Sequence, residues 1–207
     1  MVAVTEPSEL SLPTTAQAVR ALRVGDMVRL TGHITVSIGL PTHRRMAELA
    51  TRGEPLPVDL RDGAFLHLST CVRETPDGAV PLYLNPSTST RYNAWMPTIV
   101  RAFGPRLVGG KGGLDQSSVD ALREVGCVYL SFLGGGAPLL SRALRSVVQS
   151  HWNEYISQFR LLTLSVEAMG PATVAIDAHG RSLYDDLRVE AQRRMPDIVR
   201  RLAEARK

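Results

Sequence analysis

Arg106-Leu-Val-Gly-Gly-Lys-Gly-Gly-Leu-Asp-Gln-Ser-Ser-Val-Asp-Ala-Leu-Arg-Glu-Val-Gly-Cys-Val-Tyr-Leu-Ser-Phe-Leu133 reads as strand, loop, helix and strand in turn. Arg106–Val108 is short and extended, and Gly109–Gly113 is a loop. Asp115 can cap a helix over Gln116–Val125, and Cys127–Leu133 is an apolar strand. A second glycine-rich loop, Gly134–Gly136, follows, and then a segment over Pro138–Ser150 that the reading takes as a helix. Strand and helix in alternation predict an α/β fold with a partly parallel sheet.

Working outward towards the N-terminus, Thr14 and Thr15 can cap a short helix through Leu22. Met27–Thr35 alternates apolar and polar residues as a strand does. Pro41–Gly53 has proline at the start and glycine at the end of a helix. Glu54–Asp62 is a proline-rich loop. Ala64–Thr70 and Ala79–Leu84 are strand candidates on either side of the turn signal Pro76-Asp77-Gly78. Asn85–Thr90 is polar and runs into a helical stretch, Arg91–Phe103, which contains Pro97. Towards the C-terminus, Arg160–Val166 and Ala172–Asp177 read as two strands and Ala178–Gly180 as a turn. A long helix follows from about Asp185, broken at Pro196.

Composition bounds the function. The 207 residues carry a net charge of +4, with 44% hydrophobic and 21% charged residues, as in an ordinary soluble domain. No apolar run reaches the roughly 18 residues of a membrane span. Arg181–Lys207 alternates bases with acids, the pattern of a solvated helix face. With only 5% aromatics, this argues against nucleic-acid binding. Residues 1–13 lack the order of a signal peptide and read as a flexible arm ahead of a domain over 14–207, in a cytoplasmic protein. The two cysteines, Cys71 and Cys127, fall short of the three or four thiolates an iron–sulfur cluster takes. No His/Cys/Asp/Glu set has metal-ligand spacing, so no metal site is expected on this chain.

Ligands of α/β sheets bind at the carboxyl ends of strands, and three loops there have suggestive content. Asn85-Pro-Ser-Thr-Ser-Thr-Arg91 offers consecutive hydroxyls and an arginine able to grip a carboxylate. Taken alone, the pattern reads more simply as a helix cap with a surface arginine. Gly109-Gly-Lys-Gly-Gly113 is a close-approach loop with a point charge at Lys111, or a flexible turn with a solvated lysine. Gly134-Gly-Gly-Ala137 carries no charge and points to shape. His43, at a helix start beside Arg44 and Arg45, is the histidine of interest. Cationic, hydroxyl-rich loops suit a small polyanion such as a dicarboxylate, but they do not make a complete catalytic set.

Taken in order, these segments resemble a known family. Leu22-Arg-Val-Gly-Asp-Met-Val-Arg-Leu-Thr-Gly-His-Ile34 is similar to the opening of the C-terminal domain of class I fumarases. That domain also occurs as the separate β subunit of two-chain fumarases and L(+)-tartrate dehydratases. His43-Arg-Arg stands where the family has Arg-Asp-Ala-Ala-His, and Asn85-Pro-Ser-Thr-Ser-Thr-Arg-Tyr-Asn93 resembles Gly-Pro-Thr-Thr-Ser-x-Arg-Met-Asp. Gly110-Lys-Gly112, Cys127-Val-Tyr129 and Gly135-Gly-Ala137 follow in the family's order. Val166-Glu-Ala-Met-Gly-Pro171 and Ile176-Asp-Ala-His-Gly180 match its end. The resemblance spans about Leu22 to Tyr184.

The resemblance implies a single swivelling β/β/α domain that pairs with an α subunit bearing a 4Fe-4S cluster, as a dimer or heterotetramer. It implies a hydro-lyase, active only with that subunit, acting on a 2-hydroxy (di)carboxylic acid. By position Ser87 and Lys111 would be catalytic, while His43, Thr88, Arg91, Lys111 and Gly112 would bind the small carboxylate substrate. The family's Arg-Asp pair is Gly39-Leu40 here, so a carboxylate-binding arginine is missing. The expected substrate therefore differs from malate at one end. The alternative is a diverged, non-catalytic paralogue that binds a metabolite or a partner protein.

Overall fold

The structure, a computed structural model, describes residues 6–76 and 78–206. Its centre is a sheet assembled from parallel units. β1 (Ser8–Ser11) lies parallel to β2 (Met27–Val36), and α1 (Ala16–Ala21) connects them. α2 (Leu40–Arg52) leads to β3 (Ala64–Leu66), and α3 (Met96–Phe103) leads to β8 (Leu107–Gly110). α4 (Gln116–Val125) leads to β9 (Val128–Ser131). β2, β3, β8 and β9 are all parallel neighbours. The smaller strands β4 (Leu68–Ser69) and β7 (Asn85–Pro86) pair with each other, as do β5 (Val72–Thr75) and β6 (Gly78–Pro81). The mixed α/β class expected from the alternating pattern is what the chain adopts.

Two features close the sheet. β10 (Leu144–His151) runs antiparallel to β11 (Leu161–Ile176). β11 is long enough for its first part to pair with β2 and its last residues with β9. The sheet thus closes on itself through β2, β3, β8, β9 and β11, with β1 and β10 left as its edge strands.

Period-2 alternation then sorts the side chains. Leu66, Leu107, Val128 and Leu130 join one core with Ile34, Leu164 and Val174. Phe65, Val108 and Tyr129, one residue out of step, face the helices and pack with Met46, Met96, Ile99 and Leu122. Helix ends follow sequence chemistry: Asp115 accepts from Ser118 N at 3.0 Å, and Gly53 and Gly126 end α2 and α4 in the left-handed conformation.

Several sequence expectations are corrected. Residues 8–11 are no flexible arm, because Leu10 is buried and the segment is held by the edge of β2; residues 1–5 lie outside the described residues. The helix expected over 138–150 is only α5 (Ala137–Ser141), followed by β10. Val147 and Val148 are β-branched, and a free edge of β11 is available to pair with them. The two strands expected over 160–177 are one. Bulges at Ala168 and Gly170 (φ +50° and +152°) bend it without interrupting its pairing.

The strand expected over 64–70 breaks at His67. The strand expected over 79–84 forms only as β6, which ends at Pro81 and pairs across the Pro76–Gly78 turn with β5, while Asp77 itself lies outside the described residues. Pro97 sits in the first turn of α3, where it costs no hydrogen bond. Finally, α6 (Leu183–Glu204) runs through Pro196 unbroken, and none of its residues is buried. No described helix is long and apolar enough to cross a membrane.

Candidate functional site at the ends of three strands

The loops singled out in the sequence converge where β3, β8 and β9 end. After β7 the chain passes through Ser87 and Thr88 into a 3-10 turn, Ser89–Tyr92. This segment lies beside the end of β8 and forms a parallel bridge between Thr88 and Lys111. Ser87 N donates to His67 O at 2.9 Å, Lys111 N donates to Ser87 O at 2.9 Å, and Ser89 N donates to Lys111 O at 2.8 Å. His67 N donates in turn to Gly109 O at 2.6 Å. Backbone hydrogen bonds thus lock the two loops together.

Glycine is required at the crossing. A Cβ at Gly110 would overlap the Ser89 hydroxyl and come within 2.9 Å of Ser87 O. Gly112 has φ +80°, and a side chain there would press on Thr88 Cγ2 at 3.2 Å. The Lys111 side chain runs past the third loop, its Cδ 3.9 Å from where a Gly134 Cβ would stand.

Of the predicted site residues, Ser87, Thr88, Lys111 and Gly112 are brought directly together, and Arg91 sits at the end of the same 3-10 turn. Ser87 is 8% exposed, Lys111 is half-buried and Arg91 is exposed. Neither cation forms an ion pair among the described residues, where fourteen other pairs occur. Two charges without protein carboxylates are free to take an anionic ligand. The clefts of about 390 and 320 Å³ both flank the loop at 54–62, lined by residues such as Val58 and Arg61, and reach neither Ser87 nor Lys111. The converging loops make up a face at the strand ends that neither cleft reaches.

His43 does not reach that face. It is fully buried, stacked on Tyr92 with centroids 3.8 Å apart and planes 8° apart. Its Nδ1 lies 2.7 Å from Gly39 O. Burial pulls its pKa down to about 4, although the bond to Gly39 works against this. Tyr92 donates to Ile38 O at 2.8 Å, and burial raises its pKa beside the Ser87 hydroxyl.

Sequence reasoning missed His67, Ser89 and Tyr129. His67 is fully buried, with Nδ1 2.7 Å from Ser89 Oγ, and Tyr129 donates to that same oxygen at 2.8 Å. Burial first, and the neighbouring His43 second, hold the His67 pKa well below its usual value. The signal available in sequence was a histidine two residues after Phe65, on the strand face that turns to the helices.

No group of three His, Cys, Asp or Glu side chains among the described residues is placed to hold a metal ion. Cys127 is buried, and burial pushes its thiol pKa up, the reverse of what a thiolate ligand needs. The donor set of this chain does not fit an iron–sulfur cluster.

A family model for the fumarase C-terminus matches residues 4–187. The chain belongs to the fumarase C-terminus family. The β subunit of L(+)-tartrate dehydratase from Escherichia coli K12 is 30% identical over 196 residues, covering 94% of this chain and 95% of that protein. A Methanocaldococcus jannaschii chain provisionally named as the same subunit is 27% identical over 186 residues, covering 89% and 95%. A Geobacillus stearothermophilus protein provisionally named class I fumarate hydratase is 31% identical over 179 residues, covering 86% of this chain and 34% of that one. This fumarase-family chain is thus of the β-subunit type found in hydro-lyases of the tartrate dehydratase and class I fumarase kind.

Proposed function

We propose that the chain is the β subunit of a two-subunit cytoplasmic hydro-lyase that adds or removes water at a 2-hydroxy (di)carboxylic acid. The observation that carries this reading is the crossing of the Ser87–Arg91 segment with Lys111, which holds the Ser87 and Thr88 backbone against Lys111, with Arg91 in the turn that follows. Removing a proton next to a carboxylate builds negative charge on that carboxylate, and fixed cations stabilise it. Arg91 and Lys111 supply the charge, and Thr88 and the Gly112 backbone border the anion. Ser87 takes the carbon-bound proton as its own hydroxyl proton passes to a carboxylate of the partner subunit. His43 supports Tyr92 from behind rather than touching substrate.

An α subunit completes the site and carries the 4Fe-4S cluster. The subunit naming of the tartrate dehydratase relatives supports a partner subunit. Two free cysteines fit a reducing compartment. The substrate differs from malate at one end. At Gly39, where the family has arginine, a Cβ would meet Phe159 Cβ at 2.8 Å, so no side chain fits.

The test is anaerobic co-purification of the full chain from its host, with iron and sulfide assayed and 2-hydroxy acids screened. The reading expects a stoichiometric, cluster-bearing partner and turnover of a hydroxy acid other than malate. A metal-free homo-oligomer without turnover would replace it with a non-catalytic binding protein.

A further inference from the structure

His67 and His43 lie side by side beneath the Ser87–Lys111 face, both fully buried, with ring centroids 5.1 Å apart. Each uses one ring nitrogen, and each leaves Nε2 buried without a partner. The partners of the used nitrogens fix where the protons are. His43 Nδ1 faces Gly39 O, which only accepts, so Nδ1 carries the proton and Nε2 is a bare lone pair. His67 Nδ1 faces Ser89 Oγ, which already accepts from the Tyr129 phenol. Ser89 has a single proton to give. Were His67 Nδ1 protonated as well, the Ser89 proton would be a buried donor without an acceptor. His67 Nδ1 therefore accepts, and its proton sits on Nε2.

The two unpartnered nitrogens are consequently complementary, one a donor and one an acceptor. The rings stand 5.1 Å apart and tilted by 52°, so an N–H···N bond of about 3 Å between them needs a ring rotation that brings the two Nε2 atoms edge to edge. We infer that His67 is a positioning residue: as the neutral Nε2–H tautomer it completes a one-way hydrogen-bond chain, Tyr129 to Ser89 to His67 to His43 to Gly39, that sets Ser87 and Lys111 in register against α2. The main chain of His67 gives this chain its reach, since its N–H holds Gly109 O and its carbonyl holds Ser87 N. Fixing the ring thereby fixes both loops. The effect on activity rests on the proposed use of the Ser87–Lys111 face; the tautomers do not.

The experiment has two arms. Long-range proton–nitrogen correlation spectra of the full chain, 15N-labelled at histidine, are expected at neutral pH to show Nε2–H for His67 and Nδ1–H for His43. Ser89→Ala, which removes the hydroxyl that donates to His67 Nδ1, should shift the His67 Nδ1 resonance towards that of an unbonded nitrogen and leave those of His43 in place. An imidazolium at either residue, Nδ1–H at His67, or an unmoved His67 in Ser89→Ala overturns the inference. In the assembled enzyme, His67→Leu should lower kcat about 100-fold with KM little changed, the scale of a misplacement near 1 Å. His67→Gln, which keeps a donor near Nε2, should recover much of that loss. Equal losses in both variants would make His67 a mere space-filler. Wild-type enzyme inactive on every hydroxy acid would instead overturn the proposed function and leave the tautomer result standing.

Discussion

Gly110 faces the Ser89 hydroxyl with no room for a methyl group between them, and a Cβ there would also stand 2.9 Å from the Ser87 carbonyl oxygen and 3.1 Å from His67 Cβ. The crossing of the two site loops depends on that missing side chain. Gly110→Ala should destabilise the fold by about 1–3 kcal/mol through overpacking, seen as a lowered Tm, and should disorder Ser87 and Lys111 together. An unchanged Tm would mean that the loops part easily, contrary to the hydrogen bonds that join them.

Lys111 and Arg91 make no ion pair among the described residues, so removing either should leave the fold intact. Lys111→Ala and Arg91→Ala are each expected to shift stability by no more than about 0.5 kcal/mol. In the assembled enzyme each should lower kcat/KM by about 100-fold or more, the scale of losing one preorganised electrostatic contact. Parallel unfolding curves and steady-state kinetics on the same preparations separate the two effects. Wild-type rates in both variants would remove these residues from the site.

Ser87 is buried to 8% exposure, and its hydroxyl lies beside the Tyr92 phenol. Loss of a group that transfers a proton in the transition state costs about 100- to 10,000-fold in rate. Ser87→Ala is expected in that range, while Ser87→Thr, which keeps the hydroxyl, should stay within about tenfold of wild type. If Ala and Thr variants performed alike, the hydroxyl would have no part in the chemistry.

Both buried histidines make stability depend on pH. His43 is held near pKa 4, below its ordinary value of about 6.5. Between those values the unfolded chain takes up a proton that the folded chain refuses, so stability falls as pH falls through that window. Above pH 6.5 the effect is absent. The loss from His43 is about 3 kcal/mol in full, and His67 adds to it in the same direction. Urea unfolding at pH 7, 6, 5 and 4 should trace this decline, and His43→Phe should flatten it. A wild-type chain equally stable at pH 7 and 4 would contradict the burial of both rings.

Restoring an arginine at position 39 should not restore a malate-type site. A Cβ there meets Thr42 Oγ1 at 2.5 Å and Phe159 Cβ at 2.8 Å, so Gly39→Arg is expected to lower Tm without improving turnover of malate or fumarate. A gain in malate turnover would show that Phe159 yields, and that this position alone sets the substrate.

The sequence by itself determined the local grammar of this protein. Asp115 and Gly126 bound their helix in the chain as they do in the sequence, because capping is settled within a few residues. The loops holding Ser87, Thr88, Arg91, Lys111 and Gly112 were legible because glycine and hydroxyl clusters mark strand ends. Tertiary structure decided what depends on distant partners. Residues 8–11 and 144–151 became strands because free edges of β2 and β11 were there to pair with them, and a hydrogen bond to another strand leaves no mark in the local pattern. The same reason hid His67, Ser89 and Tyr129. They stand 22 and 40 residues apart along the chain, and only the parallel stacking of β3, β8 and β9 brings their side chains within hydrogen-bond reach.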